Sequence, residues 1–175
     1  MKTRDEDPPV SRPVRIDRIV SGGQTGADRA ALDAAIELDV PHGGWVPRGR
    51  RTEDGSLPAR YRLKETESPS YPQRTERNVL DSDGTLIFSH GRLGSGSALT
   101  GRLAGRHGKP WLHLDLDDMT AAQAAQAAIR WIRACGVRVL NVAGPRASED
   151  RLIYDGVRAV LRVVIAECGG AEPSS

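Results

Sequence analysis

Glycines and small polar residues follow a short apolar run near the start of the sequence. Residues 19–29 read IVSGGQTGADR, and alanines then recur at helical spacing as far as Leu38. This order predicts a strand, a tight turn and a helix with a small-residue face. Gly22, Gly23 and Gly26 would permit positive φ and bring backbone N–H groups to a ligand, beside the positive end of the helix dipole. The pattern is typical of a phosphate or other anion site, although a turn needed only for packing would look similar.

Two later strands are expected to end in comparable loops. Residues 84–89 (GTLIFS) lead into the glycine-rich residues 90–97, and residues 137–143 (VRVLNVA) lead into residues 144–146 (GPR). In parallel α/β sheets, ligands bind beyond the carboxyl ends of the strands, where these loops would meet. Three converging loops therefore indicate one anion-binding site more strongly than any single loop does.

Strand-like and helix-like segments alternate along the chain, which predicts an α/β fold with a five-stranded parallel sheet and helices on both faces. Thr120 and Gln123 predict a capping box at the start of one helix, and Ser95 and Ser97 are expected to cap the helix before it. The expected strands cover residues 18–21, 40–45, 84–89, 111–115 and 137–143, and the expected helices cover residues 27–38, 73–80, 98–107, 120–134 and 148–168.

Residues 46–70 are rich in proline, glycine and alternating charge, and they show almost no periodicity. A connection of this length is uncommon in a compact domain unless it serves as a lid or a binding segment. Its arginines could close on an anion, and a solvated, variable loop is the alternative. These arginines are Arg48, Arg50, Arg51 and Arg60.

The composition limits the class of protein. The chain has 175 residues, a formal net charge of +2, three Trp, three Tyr and one Phe. One domain is expected over residues 18–168, between a disordered tail at 1–17 and a second tail at 169–175. Because there is no basic stripe and there are few aromatic residues, no nucleic-acid partner is expected. Without an apolar run of about 18 residues or a signal peptide, we expect a cytoplasmic protein with no membrane partner.

The cysteines and histidines give no sign of a metal site. Cys135 and Cys168 fall at expected helix ends without CxxC or His-spaced companions, which favours buried free thiols. The histidines lack the spacing of metal ligands. They are His42, His90, His107 and His113.

Four blocks of the sequence resemble the molybdenum carrier family. They are SGGQTGADRAALDAA, HGGWVPRGRRTEDG, QRTERNVLDSDGTLIFS and LNVAGPRAS, and they lie between residues 19 and 165. The resemblance implies a circular permutation of the Rossmann-like fold shared by molybdenum cofactor carrier proteins and the Lonely-guy phosphoribohydrolases. The permutation would move the central first strand of those relatives to residues 137–143, the most continuously apolar strand of this chain. The implied strand order is 2-1-5-3-4.

The resemblance also implies which residues hold a ligand. Arg74 falls where the phosphoribohydrolases use an arginine at the glycosidic bond, but Thr100 stands where they carry a catalytic glutamate. Because threonine is a poor base, Asp28 and Asp33 are the nearest replacement carboxylates, and Arg74 with Asp28 would be the catalytic candidates of an enzyme. Stabilisation by the helix dipole would explain Asp28 without catalysis, and solvent exposure would explain Asp33. The expected ligand-binding residues are Gly22, Gly23, Gln24, Thr25, Gly26, Arg74, Ser89, Gly94, Ser95, Gly96, Ser97, Asn141, Gly144 and Arg146.

Three functions are compatible with this resemblance. The first is a carrier for the molybdenum cofactor or molybdate, in which molybdenum arrives inside a pterin or as an oxyanion and passes to molybdoenzymes. The second is a hydrolase that cleaves the N-glycosidic bond of a nucleotide or nucleotide sugar. The third is a sensor of a nucleotide-derived signal. The expected partner is a small phosphorylated ligand, and the related families imply a homo-oligomer.

Two substitutions would test the expected central strand and the expected ligand loop. Val139→Asp should prevent folding, because it would bury an unpaired charge in the central strand. Gly23→Val should weaken ligand binding while the fold persists, because it would add a branched side chain where the backbone approaches the ligand.

Overall fold

The structure is a computed structural model that describes residues 13–169, and residues 1–12 and 170–175 lie outside it. Strands and helices alternate as the sequence predicts. In chain order they are β1 (Arg18–Val20), α1 (Ala27–Glu37), β2 (His42–Gly43), β3 (Trp45–Val46), β4 (Arg51–Thr52), β5 (Gly55–Ser56), β6 (Lys64–Glu65), α2 (Tyr71–Leu80), β7 (Gly84–Ser89), α3 (Ser95–Arg106), β8 (Trp111–Asp115), α4 (Ala121–Cys135), β9 (Val139–Ala143) and α5 (Ile153–Cys168).

Parallel strands form the main sheet in the order β2-β1-β9-β7-β8. Counted along the five strands of this sheet, the order is 2-1-5-3-4, so the predicted order is confirmed. β9 lies at the centre, where Leu140 pairs with Ile19 of β1 and with Gly84 of β7. Leu140, Asn141 and Val142 are all buried, as expected for the central strand of a parallel sheet.

The helices form two layers. α1, α5 and α4 pack side by side, and α2 packs on α3. Leu86 and Phe88 of β7 belong to the main apolar core with the first layer, whereas the alternate residues Thr85 and Ile87 are buried on the other face of the strand. Of the helices in residues 13–169, none has the length and apolar content that crossing a membrane requires.

The packed chain begins before β1. Ile16 is buried, and its N–H donates to the Cys168 carbonyl oxygen at 2.7 Å. The expected tail at 1–17 is therefore wrong for its last residues, while its first twelve residues and residues 170–175 lie outside the described chain. Cys168 is a buried free thiol as predicted, but Cys135 is exposed, so its predicted burial is wrong.

The predicted helix caps are correct only in part. Thr120 and Gln123 form the capping box of α4. The predicted caps of α3 are wrong, because Ser95 and Ser97 lie inside its first turn, and no side chain of the described residues caps the helix at Gly94. The serines therefore contribute backbone N–H groups to this end of the helix, and those groups have no partner within it.

Residues 46–70 carry a small core of their own. β3 pairs with β6, and β4 pairs with β5 in a hairpin. Arg50 donates to the carbonyl oxygens of four residues at 2.9 to 3.3 Å, and thereby closes the segment on itself. A separate apolar cluster joins the segment to α1 through Leu32, Val46, Leu57, Tyr61 and Leu63.

Candidate functional site

A cavity of about 420 Å³ opens at the carboxyl edge of the sheet, beside the ends of β1 and β9. The loop after β1 and the end of β9 line one side. The opposing wall is built from α2 and α3, which present residues 71, 75 and 78 and residues 95, 99 and 102. Both sets follow the i, i+4, i+7 spacing of one helix face. No residue of the segment 46–70 lines this cavity, so its arginines do not lie over it in this structure.

Gln24 lines this cavity and carries a buried donor that has no partner in the described residues. Its Oε1 accepts from the Thr25 N–H at 3.1 Å and from the Glu53 N–H at 2.9 Å, which fixes the orientation of the amide. The side-chain Nε2 is buried and has no hydrogen-bond partner in the described residues. Gln24 is 7% exposed and lines the cavity, so an acceptor atom of a ligand that reached this nitrogen would satisfy it.

Asp28 and Arg74 form a buried ion pair in the same cavity. Arg74 Nη1 lies 3.1 Å from Asp28 Oδ2, and the two side chains are 12% and 8% exposed. Burial raises the pKa of Asp28, and the charge of Arg74 and the hydrogen bond from the Gln24 N–H only partly oppose this effect. Asp28 is therefore a partner of Arg74 rather than a carboxylate placed only to stabilise a helix end.

Gly22 leaves the space that the Arg74–Asp28 ion pair occupies. A Cβ on Gly22 would lie 1.4 Å from Arg74 Nη1 and 2.8 Å from Asp28 Oδ2. The guanidinium thus lies directly on bare backbone, which explains why a glycine is required at this position.

The loop after β1 does not offer the row of free N–H groups that the sequence predicts. The Gly23 N–H donates to Ser21 Oγ, the Gln24 N–H to Asp28 Oδ2 and the Thr25 N–H to Gln24 Oε1. The Ala27 N–H at the start of α1 donates to the Pro145 carbonyl oxygen. Because these donors are already used, the start of α3 is the better source of backbone donors for an anion.

Thr100 also lines the cavity from α3. It is buried, and its hydroxyl donates to the Gly96 carbonyl oxygen at 3.1 Å. The Thr100 hydroxyl already uses its proton in this hydrogen bond within the helix, and a hydroxyl group is a weak base. Thr100 therefore does not replace a catalytic carboxylate.

Charged and aromatic side chains surround the rest of the cavity. Three arginines line it, Arg74, Arg102 and Arg146, against the two carboxylates of Asp28 and Glu149. The guanidinium carbons of Arg74 and Arg146 lie 5.5 and 6.0 Å from the centre of the Tyr71 ring. The balance of charge favours an anionic ligand, and the aromatic ring offers a flat apolar surface.

The cavity brings most of the predicted ligand-binding residues together. Those that line it come from the loop after β1, from α2, from the start of α3 and from the end of β9. They are Gly22, Gln24, Arg74, Gly94, Ser95, Gly96, Ser97, Asn141, Gly144 and Arg146.

Gly23, Thr25, Gly26 and Ser89 do not line it. A Cβ on Gly23 would meet leucine side chains of the segment 46–70 at 2.9 to 3.0 Å, and a Cβ on Gly26 would meet the Pro145 carbonyl oxygen at 2.5 Å. Both glycines therefore serve packing, and Gly23→Val should disturb the fold rather than remove a ligand contact.

The side chains of Thr25 and Ser89, which also do not line the cavity, make hydrogen bonds within the protein. Thr25 Oγ1 accepts from the Ala147 N–H at 3.1 Å. Ser89 Oγ donates to the Gly91 carbonyl oxygen at 2.6 Å and contacts His113. These side chains hold neighbouring loops in place.

Asp33 lies away from the cavity. Its carboxylate accepts from the Tyr61 and Tyr154 hydroxyls at 2.7 and 2.6 Å and pairs with Arg60 at 3.1 Å. Burial and the hydrogen bond to Asp33 raise the pKa of Tyr154 to about 12. The expectation of a solvent-exposed Asp33 is wrong, because this carboxylate holds α5 and the segment 46–70 against α1.

Sequence reasoning missed the helix faces of the cavity. The lining residues it did not propose include Tyr71, Thr75 and Asn78 of α2 and Leu99 and Arg102 of α3. Their helical spacing was a readable signal, but spacing alone does not tell whether a face meets the core, solvent or a cavity.

The sequence and the fold both match known proteins. The sequence model of the circularly permutated YpsA SLOG family matches residues 19–165. The chain belongs to this family. A crystal structure from Syntrophus aciditrophicus SB, named "Putative molybdenum carrier protein", is 52% identical to this chain. The match has a TM-score of 0.85 and covers 87% of this chain and 96% of that chain. The comparison with curated proteins gives no match.

The sheet order fits a circularly permuted SLOG protein, because β9, the last strand in the sequence, lies at the centre of the sheet. Within residues 13–169 of this SLOG protein, no group of three or more His, Cys, Asp and Glu side chains is arranged to hold a metal ion. Arginines outnumber carboxylates among the charged side chains that line the cavity, and guanidinium groups bind the oxygen atoms of anions.

Proposed function

We propose that this SLOG protein is a carrier that holds a phosphate-bearing pterin, a nucleotide-type ligand or molybdate without turning it over. The observation that carries this proposal is the buried Gln24 Nε2, a donor without a partner in the described residues, in a cavity where arginines outnumber carboxylates. A buried donor that lacks a partner costs free energy, and an oxygen atom of a bound anion would satisfy it.

The other polar groups of the cavity suit the same cargo. Arg74 and Arg146 supply charge-assisted hydrogen bonds, and the first N–H groups of α3 supply neutral ones. Such donors hold phosphate or oxo groups reversibly and do not activate water. Molybdenum as part of the cargo is supported by the name of the 52% identical S. aciditrophicus protein, a molybdenum carrier protein.

A nucleotide hydrolase of the phosphoribohydrolase type is the second candidate, and Asp28 is the observation that favours it. Both hydrogen bonds to its carboxylate, from Arg74 and from the Gln24 N–H, go to Oδ2. A buried carboxyl whose pKa is raised is suited to acid–base work in a cavity. This arrangement would use Asp28 where relatives use a glutamate.

Calorimetry and a release assay separate the two functions. Sodium molybdate and adenosine 5′-monophosphate (AMP) are titrated into the protein, and AMP is also incubated overnight with the protein and analysed for free adenine. We expect binding of at least one probe and no release of adenine. Release of adenine that disappears in Asp28→Asn would replace the carrier by the hydrolase. If the protein binds neither molybdate nor AMP, both functions are refuted.

Gly22→Ala should weaken binding of the same probes by about tenfold while the protein stays folded. The added methyl group takes the position of Arg74 Nη1, so the end of this flexible side chain must leave Asp28 and the cavity wall. Loss of one charge-assisted contact has an effect of this size. Calorimetry measures the affinity, and thermal unfolding checks the fold.

Gly105→Ala in α3 is the matched control, because among residues 13–169 a Cβ there meets no atom within 4 Å beyond its chain neighbours and its own helix backbone. Unchanged affinity in Gly22→Ala would contradict the role given to Arg74. The homo-oligomer, the location in the cytoplasm and transfer to molybdoenzymes stay predictions.

A further inference from the structure

The tip of the β4–β5 hairpin joins the two loops that carry cavity residues. The Glu53 N–H donates to Gln24 Oε1 at 2.9 Å, on the loop after β1. The Glu53 carboxylate accepts from the Ser148 N–H at 3.0 Å and from the Ser148 hydroxyl, on the loop after β9. It also accepts from the Thr25 hydroxyl. Ser148, expected at the start of α5, is thus held by the hairpin, and α5 begins at Ile153.

Each of these bonds bears on a cavity group. The bond from the Glu53 backbone N–H fixes the Gln24 amide, whose Nε2 has no partner in the described residues. The bonds to Ser148 fix the chain two residues after Arg146, which lines the cavity. Thr25 completes the connection, because its Oγ1 accepts from the Ala147 N–H at 3.1 Å.

The hairpin itself is firmly attached to α1. Arg29 donates to both carboxylate oxygens of Asp54, at 2.9 and 3.2 Å, and also to the Gly23 carbonyl oxygen at 3.3 Å. The hydrogen bonds from Arg29 and Thr52 lower the pKa of Asp54 to about 2. Because the attachment does not involve Glu53, the hairpin can stay in place when that side chain is changed.

We propose that Glu53 is a positioning residue that sets the geometry of the ligand site from outside it: its backbone N–H holds the Gln24 amide, and its carboxylate holds Thr25 and the loop that carries Arg146. The segment 46–70 then serves as a brace for the site and not as its lid. The proposal rests on the proposed function for its effect on binding, but its effect on the loops does not depend on any ligand.

The experiment compares Glu53→Ala, Glu53→Gln and a control, Glu65→Ala, in the full chain. Glu65 is a carboxylate of the same segment that accepts from the Gly49 N–H at 2.7 Å and does not line the cavity. Hydrogen exchange of the Ala147 and Ser148 amides is measured without ligand, and the affinities for molybdate and AMP are measured by calorimetry. Glutamine keeps an acceptor oxygen, so it should rescue the loop.

Glu53→Ala removes the carboxylate bonds to Thr25 and Ser148 and keeps the backbone bond to Gln24. We expect it to speed exchange at Ala147 and Ser148 and, through the loosened loop, to weaken binding by about fivefold, as much as the loss of about one hydrogen bond to the ligand. Glu53→Gln and Glu65→Ala should behave like the unmodified protein. Unchanged exchange in Glu53→Ala, or equal losses in Glu53→Ala and Glu53→Gln, would overturn the positioning role. If the unmodified protein binds neither probe, the proposed function fails and the effect of Glu53 on a ligand fails with it, whatever the exchange shows.

Discussion

Leu140→Asp should leave the chain unfolded at 25 °C, whereas Val139→Asp should leave it folded. Leu140 is fully buried in β9, between β1 and β7, while Val139 is only half-buried at the start of this strand. Removing a buried leucine side chain costs about 2–5 kcal/mol, and an unpaired buried carboxylate adds several more. A domain of this kind has a free energy of unfolding of about 5–15 kcal/mol, so little or none would remain.

Circular dichroism and urea unfolding measure this difference. The expectation that Val139→Asp prevents folding is replaced here, because the side chain at that position keeps contact with solvent. A cooperative urea transition in Leu140→Asp would contradict the central position of β9. If only Val139→Asp were unfolded, Val139 rather than Leu140 would be the buried position.

The arrangement of the sheet was accessible from the sequence. Residues 137–143 form the most continuously apolar strand, and the resemblance to a permuted fold placed that strand at the centre. The segment 46–70 was not accessible in this way. The segment is stabilised by hydrogen bonds from Arg50 to four carbonyl oxygens and by an apolar cluster that includes Leu32 of α1. Neither interaction produces a periodic pattern in the sequence.

The sequence predicted where the candidate site lies better than it predicted which groups are in contact there. Glycines mark where the backbone turns or approaches another group, but a sequence does not show which group it approaches. Gly22 lies under Arg74, whereas Gly23 lies against leucines and Gly26 against the loop after β9. The N–H groups of the same loop are taken up by acceptors such as Pro145, which is far away in sequence. Such pairings exist only in the folded chain.

Arg74→Ala should lower the affinity for AMP or molybdate by about 10- to 100-fold, whereas Asp28→Asn should raise it. Arg74 supplies charge-assisted hydrogen bonds, each of which is worth about 1.5–3 kcal/mol. Asp28 competes with a bound anion for the same guanidinium at 3.1 Å. Asparagine keeps an oxygen that can accept from Arg74 and removes the negative charge next to the ligand. Calorimetry measures both affinities.

The pH dependence of stability gives these variants a second readout. Burial raises the pKa of Asp28 in the folded state above its ordinary value of 3.8. The stability that comes from the protonated group is fully present below that ordinary value and is lost as the pH rises through the raised pKa. The difference in free energy of unfolding between Asp28→Asn and the unmodified protein should therefore grow in favour of Asp28→Asn from pH 4 to pH 7. Arg74→Ala leaves a buried carboxylate without its partner and should be least stable at pH 7.

The same pair of variants separates a carrier from a hydrolase. In a carrier, Asp28 limits the affinity, so Asp28→Asn binds more tightly and no variant releases adenine from AMP. In a hydrolase, Asp28 takes part in the reaction, so Asp28→Asn binds AMP and stops its cleavage. Weaker binding of both probes by Asp28→Asn, in a protein that is folded at pH 7, would contradict the competition for Arg74. It would mean that the carboxylate is needed to hold the guanidinium over Gly22, where the ligand meets it.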